Sequence, residues 1–231
     1  MYFPFFYDWT FLLLIPALIV SLWAQARVSG TFSKYAKVPA RSGMTATQVV
    51  ERLLASEGVT DVSVERVGGN LTDHYDPRNM VLRLSDSTAS SGSVAALGVA
   101  AHEAGHVLQH RDGYGPLVLR TAAVPVVNIG SALSWPLFLA GLIFSWDPLL
   151  YVGIGLFALA VTFSLISLPV EFDASRRALA ALEGGGYLEG EQLAGAKKVL
   201  SAAALTYVAA AFMAVMQLLR LLAIAGGRRR D

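Results

Sequence analysis

Four long uncharged runs divide this chain, and one stretch of mixed polar and apolar sequence sits between the first two. The runs extend from about Trp9 to Ala26, Thr121 to Phe144, Pro148 to Leu168 and Ser201 to Leu219. Each is about long enough to cross a hydrocarbon core of ~30 Å as a helix, which takes roughly 20 apolar residues. Only Ser145-Trp146-Asp147 joins the second and third, so they predict a helical hairpin that returns the chain to the side it left. Trp9, Trp23, Trp135, Trp146 and Tyr151 lie near the edges of the runs, where amphipathic rings favour the interface. The first run has neither a basic segment ahead of it nor a small-x-small cleavage signal before Arg27, so it reads as a retained anchor. If the fourth run crossed, it would carry Arg228-Arg229-Arg230 to the far side, and Arg220 interrupts its end. A weakly oriented span and a helix buried against the protein both fit it.

The polar stretch, residues 27–116, changes period several times. Thr45 to Ser56 places Val49, Val50, Leu53 and Leu54 on one helical face, with Thr45 or Thr47 as cap and Gly58 as terminator. Val62 to Val67 alternates as a strand, Gly68-Gly69-Asn70 is a turn, and Met80 to Leu84 alternates again. A strand directly ahead of the next helix is placed either to pair with an extended peptide along its edge or to serve as an ordinary sheet strand.

Composition turns this pattern into a class. Hydrophobic residues make up 55% of the 231 and charged ones 15%, the balance of a membrane protein with one polar portion. The net charge of +1 points to no nucleic-acid partner. Without a cysteine, disulfides and thiolate ligands are excluded, so any metal must be held by histidine and carboxylate.

Such ligands occur in Val99-Ala100-Ala101-His102-Glu103-Ala104-Gly105-His106, preceded by the apolar run from Val94. On a helix, His102 and His106 project ~40° apart and reach one ion, while Glu103 lies ~100° round the same turn, free to take a proton from a metal-activated water. Uncompensated histidine and glutamate in so apolar a helix would be costly, and one Zn2+ per chain removes that cost. A catalytic zinc needs a third protein ligand. Glu171, where the third run ends, is preferred; Asp173 and His110 are the alternatives. Four residues after His106, His110 shares nearly the same face but sits at the polar helix end beside Arg111-Asp112-Gly113.

Three ordered motifs carry a resemblance: Leu71-Thr72-Asp73-His74-Tyr75-Asp76-Pro77-Arg78, the His102 motif, and Pro169-Val170-Glu171-Phe172-Asp173-Ala174-Ser175. Together with Leu205 to Ala210 they resemble the bacterial membrane-bound neutral zinc metallopeptidases over nearly the whole chain, and more distantly the HtpX-type and CAAX prenyl proteases. The resemblance implies His102, His106 and Glu171 as ligands and Glu103 as base. Ser175 stands where the distant relatives have aspartate, so the hydrogen bond to a ligand histidine is weaker here or comes from Asp173. The oxyanion formed when water attacks a carbonyl needs a stabilising group. His74, Tyr75, Arg78, Arg176 and Arg177 are candidates, against a plain structural turn in which Asp73 or Asp76 caps amides and pairs with Arg78.

The expected protein is a mainly α membrane protein with a zincin-like α+β metalloprotease domain on a bundle of three to four transmembrane helices. Residues 1–26 form its anchor, 27–116 the catalytic domain, 117–168 the hairpin, 169–200 the third-ligand helix and loop, and 201–231 a hydrophobic helix with a basic tail. Its expected partners are a polypeptide substrate, membrane proteins among them, and the lipid bilayer; no pattern sets an oligomeric state. Loops around Asp8 and Asp147 lack Lys and Arg, whereas Arg27, Lys34, Lys37, Arg41, Arg120, Arg176, Arg177, Lys197 and Lys198 lie on the motif side. The positive-inside rule therefore puts the active site on the cytoplasmic face of a bacterial membrane. The competing class is a non-catalytic membrane scaffold whose structural zinc is closed by His102, His106, His110 and Glu171.

Overall fold

The computed structural model describes residues 9–227; Asp8 and Arg228-Arg229-Arg230, which entered the orientation argument, lie outside the described residues. The chain is mainly helical. A 3-10 turn at Trp9–Leu14 leads into α1 (Ile15–Tyr35) and α2 (Ala46–Ser56). Strands β1 (Ser63–Val67), β2 (His74–Asp76) and β3 (Val81–Ser85) follow, then α3 (Asp86–Ala89), α4 (Val94–Arg111), α5 (Gly115–Ile143), α6 (Asp147–Gly184) and α7 (Gly190–Gly227). Among the described residues, four helical stretches are long and apolar enough to cross a membrane: Trp9–Tyr35, Gly115–Ile143, Asp147–Gly184 and Gly190–Gly227. All four outrun the hydrophobic runs that mark them, α5 by beginning at Gly115. α1 continues to Tyr35, α7 begins at Gly190, and α6 carries Glu171 on the same helix as the third run.

Two compact units form. One takes the chain up to Gln25, Leu119–Leu168 and the chain from Thr206. Its core gathers Phe138, Leu150, Ile154, Leu221 and Ala225. Here α5 and α6 approach through glycine: a Cβ added to Gly153 would lie 2.6 Å from the Phe138 amide nitrogen, and one at Gly141 would overlap the backbone of Leu150. Small residues of this kind let helices touch backbone to backbone where lipid gives no hydrophobic drive. Arg220, expected to break the fourth run, is buried in this unit, with Nε 3.4 Å from Thr10 Oγ1 and its guanidinium over the Phe11 ring.

The second unit spans Ala26–Val118 and Pro169–Leu205. α2 starts at a capping box: Thr45 Oγ1 accepts from the Gln48 amide and the Gln48 side chain accepts from the Thr45 amide. Gly58, at φ +71°, ends it. Val49, Val50, Leu53 and Leu54 bury against α4, as their helical spacing predicts. The sheet order is β1-β3-β2, with β1 parallel and β2 antiparallel to β3. Leu82 and Leu84 anchor β3 in the core.

This order overturns one reading of the sequence. Both edges of the strand ahead of the His102 motif are occupied, so β3 cannot add a peptide; the free edges belong to β1 and β2. The segment read as a bare turn also holds β2, because Asp76 gathers the turn after it. Its carboxylate accepts from the Arg78 and Asn79 amides and from Asn79 Nδ2, and its ion pair goes to Arg83 rather than to Arg78. The Asn79 side chain leads in holding the Asp76 carboxyl down to about 2. Asp73 accepts from the amide and hydroxyl of Ser85 and from Thr88, tying β2 to the start of α3.

The glycine contact generates a direct test. Gly153→Val should lower the thermal midpoint of the detergent-solubilised protein, at a cost of about 1–3 kcal/mol from overpacking, whereas Gly155→Val, whose added Cβ meets nothing within 4 Å, should cost clearly less.

Candidate metal centre

α4 is almost wholly buried. Ser93 caps it by accepting from the Ala96 amide, and Gly113 at φ +61° follows its C-terminus. The residues before its last turn that keep access to solvent are Val99, His102, Glu103 and His106, with His110 exposed beyond them. Spaced by three and four, these share one face, so the open stripe of a buried helix carries the titratable groups.

Across that stripe runs α6. Gly105 sets the approach, since a Cβ there would overlap the carbonyl oxygen of Ala174. The contact brings Glu171, 2% exposed, to the two imidazoles. Glu171 Oε2 lies 3.2 Å from His102 Nε2 and 3.7 Å from His106 Nε2. One ligand atom from each of the three falls within 4.8 Å of the others, a grouping that could hold a metal ion. The rings stand edge to face, their centroids 4.8 Å apart.

The outer nitrogens are engaged as well. His102 Nδ1 is 3.1 Å from Ser175 Oγ and His106 Nδ1 is 3.0 Å from Gln109 Oε1. With a proton on each Nδ1, both Nε2 lone pairs would be open to an ion beside Glu171, the donor set that zinc takes from histidine. The residues thus fit the ion on their own chemistry: two nitrogens and one carboxylate oxygen, with no need for thiolate.

Electrostatics distinguish Glu103. Burial pushes its carboxyl above the usual glutamate value, His102 and His106 oppose the shift, and Glu171 and Asp73 add to it. For His106, burial alone would lower the pKa, but the nearby Glu171 carboxylate and the charge of Glu103 raise it overall.

The other candidates separate. His110 stands apart from the ligand group, its Nδ1 2.8 Å from the Tyr75 hydroxyl. Burial, with Asp61 and Asp76, lifts that phenol to about 12. His74 is exposed and donates from Nδ1 to the Thr72 carbonyl, 2.8 Å away; Arg78 is exposed too. Asp173 points away from the ligands: it accepts from Gln109 and pairs with Arg176 and with Arg177, the latter at 2.7 Å. Arg177 also bridges to Asp112 at 2.5 Å.

Gln109 was missed by sequence reasoning. Its signal was faint, an amide three residues after His106 in an apolar run, and only its complete burial shows that it is committed.

Because the three candidate ligands meet only if α4 and α6 touch, Gly105→Ala should keep the helical circular dichroism yet bind zinc at least about tenfold more weakly, a loss of the size that disturbed ligand positioning causes; wild-type affinity would show that the contact is not limiting.

A Bacillus subtilis (strain 168) protein named "Putative membrane protease YugP" is 49% identical over 212 residues, which cover 92% of this chain and 94% of that one. No solved structure matches the chain. The family described as "Putative neutral zinc metallopeptidase" matches residues 10–226, a span that contains His102, His106 and Glu171. On that match, spanning almost its whole length, the chain belongs to the family described as "Putative neutral zinc metallopeptidase".

Proposed function

We propose that this protein is a membrane-embedded, zinc-dependent endopeptidase of the gluzincin type with a zincin-like catalytic domain. The observation that carries the reading is the convergence of His102 Nε2, His106 Nε2 and Glu171 Oε2, with Glu103 on the same face of α4 and outside the ligand group. Bound there, zinc would supply Lewis acidity, lowering the pKa of a water and polarising the scissile carbonyl.

The chain's own groups do the rest. Glu103 accepts the proton of the attacking water and delivers it to the leaving amine. Ser175 and Gln109 hold the two imidazoles in orientation. Arg176 is drawn to Asp173, so the oxyanion group is sought among His74, Tyr75 and Arg78, on and just after β2. With β3 central, the free edge of β2 is where an extended substrate would pair.

Segments 27–116 and 169–200 would carry the chemistry, and 1–26, 117–168 and 201–231 would hold it in a bacterial membrane. The relative's name and the four apolar helices support that location. Basic residues on the motif side favour a cytoplasmic active site, and the substrate we infer is polypeptide, membrane proteins included. The scaffold reading needed His110 as a fourth ligand, and the engagement of His110 with Tyr75 weighs against it.

Casein cleavage by the detergent-purified chain should disappear with a zinc chelator and in Glu103→Gln, which should still bind one zinc. A Glu103→Gln protein that cleaved at the wild-type rate would sink the mechanism. His110→Ala should retain its zinc; loss of the metal would restore the closed structural site.

A further inference from the structure

Gln109 is the fully buried polar side chain nearest the ligands that the hydrolytic chemistry does not itself require. Its amide is held at both ends. Nε2 donates to the Val170 carbonyl at 2.8 Å and to Asp173 Oδ2 at 3.0 Å, and Oε1 faces His106 Nδ1 at 3.0 Å. The reverse orientation would set the amide oxygen against a carbonyl and a carboxylate at once, which excludes it. Oε1 can only accept, so the His106 proton must sit on Nδ1.

Asp173 is fixed in turn. Arg176 and Arg177 both bind its carboxylate, and Arg177 reaches on to Asp112, the C-cap of α4. A fixed negative charge therefore acts on the N–H side of the Gln109 amide and polarises its carbonyl toward the imidazole. His102, by contrast, contacts only the neutral hydroxyl of Ser175 at its outer nitrogen. The two histidines are supported unequally, and the charged support reaches His106 through an intermediary.

We propose that Gln109 is a positioning residue that relays the Asp173 carboxylate to His106, fixing the Nδ1–H tautomer and presenting Nε2 to the metal. The inference rests on the zinc reading above and adds that the aspartate of the Glu171 motif acts on the second histidine of the α4 motif through this amide.

The test is zinc affinity of the full detergent-solubilised chain, measured by chelator competition beside the thermal midpoint of the metal-free protein and the visible spectrum of the cobalt-substituted protein. Gln109→Leu keeps the buried volume and leaves Asp173 to its arginines. It should weaken zinc about 10- to 100-fold and alter the cobalt spectrum, with the metal-free midpoint little changed. Gln109→Glu, which sets like charges together, should also lose affinity. Adding Asp173→Asn restores one donor to the new carboxylate while the Val170 carbonyl still faces it, so the double variant should recover part of the loss. Should Gln109→Leu fail to fold, the comparison of Gln109→Glu with the double variant decides. Wild-type zinc affinity in Gln109→Leu, or a double variant no tighter than Gln109→Glu, overturns the relay. Failure of the wild type itself to bind zinc overturns the metal reading instead, and that result is read without any variant.

Discussion

The close approach of α4 and α6 at Gly105 and Ala174 is the constraint on which the site depends. Ligands on two different helices can share an ion only if the helix backbones come nearer than side chains usually allow. Here one missing Cβ makes the room. The two variable positions of the His-Glu-x-x-His motif are then not free: Ala104 is buried and Gly105 is the contact itself.

That closeness has an electrostatic consequence. A buried polar group left unsatisfied costs about 1–3 kcal/mol, and a buried charge more. At this contact the polar groups are arranged in pairs: Glu171 with two imidazoles, His102 with Ser175, His106 with Gln109, and Gln109 with Asp173 and Val170. The arginines on Asp173 and Asp112 close the chain at its exposed end. What an apolar helix could not tolerate singly it tolerates as a connected set. Glu103 lies outside these pairs, on the part-exposed strip of α4.

In the apolar unit the same device serves a different need. Gly141 and Gly153 let α5 and α6 touch backbone to backbone, as suits helices that gain nothing hydrophobic by leaving lipid. Glycine thus sets helix spacing in both units, for packing in one and for ligand geometry in the other.

Much of this was legible in the chain. Period and hydropathy determined the long apolar helices, the face of α2 and its cap, and the strands β1 and β3 to within about a residue, because each depends on neighbours a few positions away. Spacing alone put His102, Glu103 and His106 on one side of a helix. Tertiary structure decided the rest. Whether β3 is an edge or a centre depends on where β2 pairs, and a three-residue strand leaves no period to read. His110 shares its face with His106 yet turns to Tyr75, a partner 35 residues away. Ser175 rather than Asp173 meets His102, and Asp173 reaches His106 only through Gln109, because the angle at which α6 crosses α4 decides which side chains face each other. A sequence records which residues follow one another; the meeting of side chains more than 60 positions apart is set by how closely two helices pack, and here that rests on a residue with no side chain.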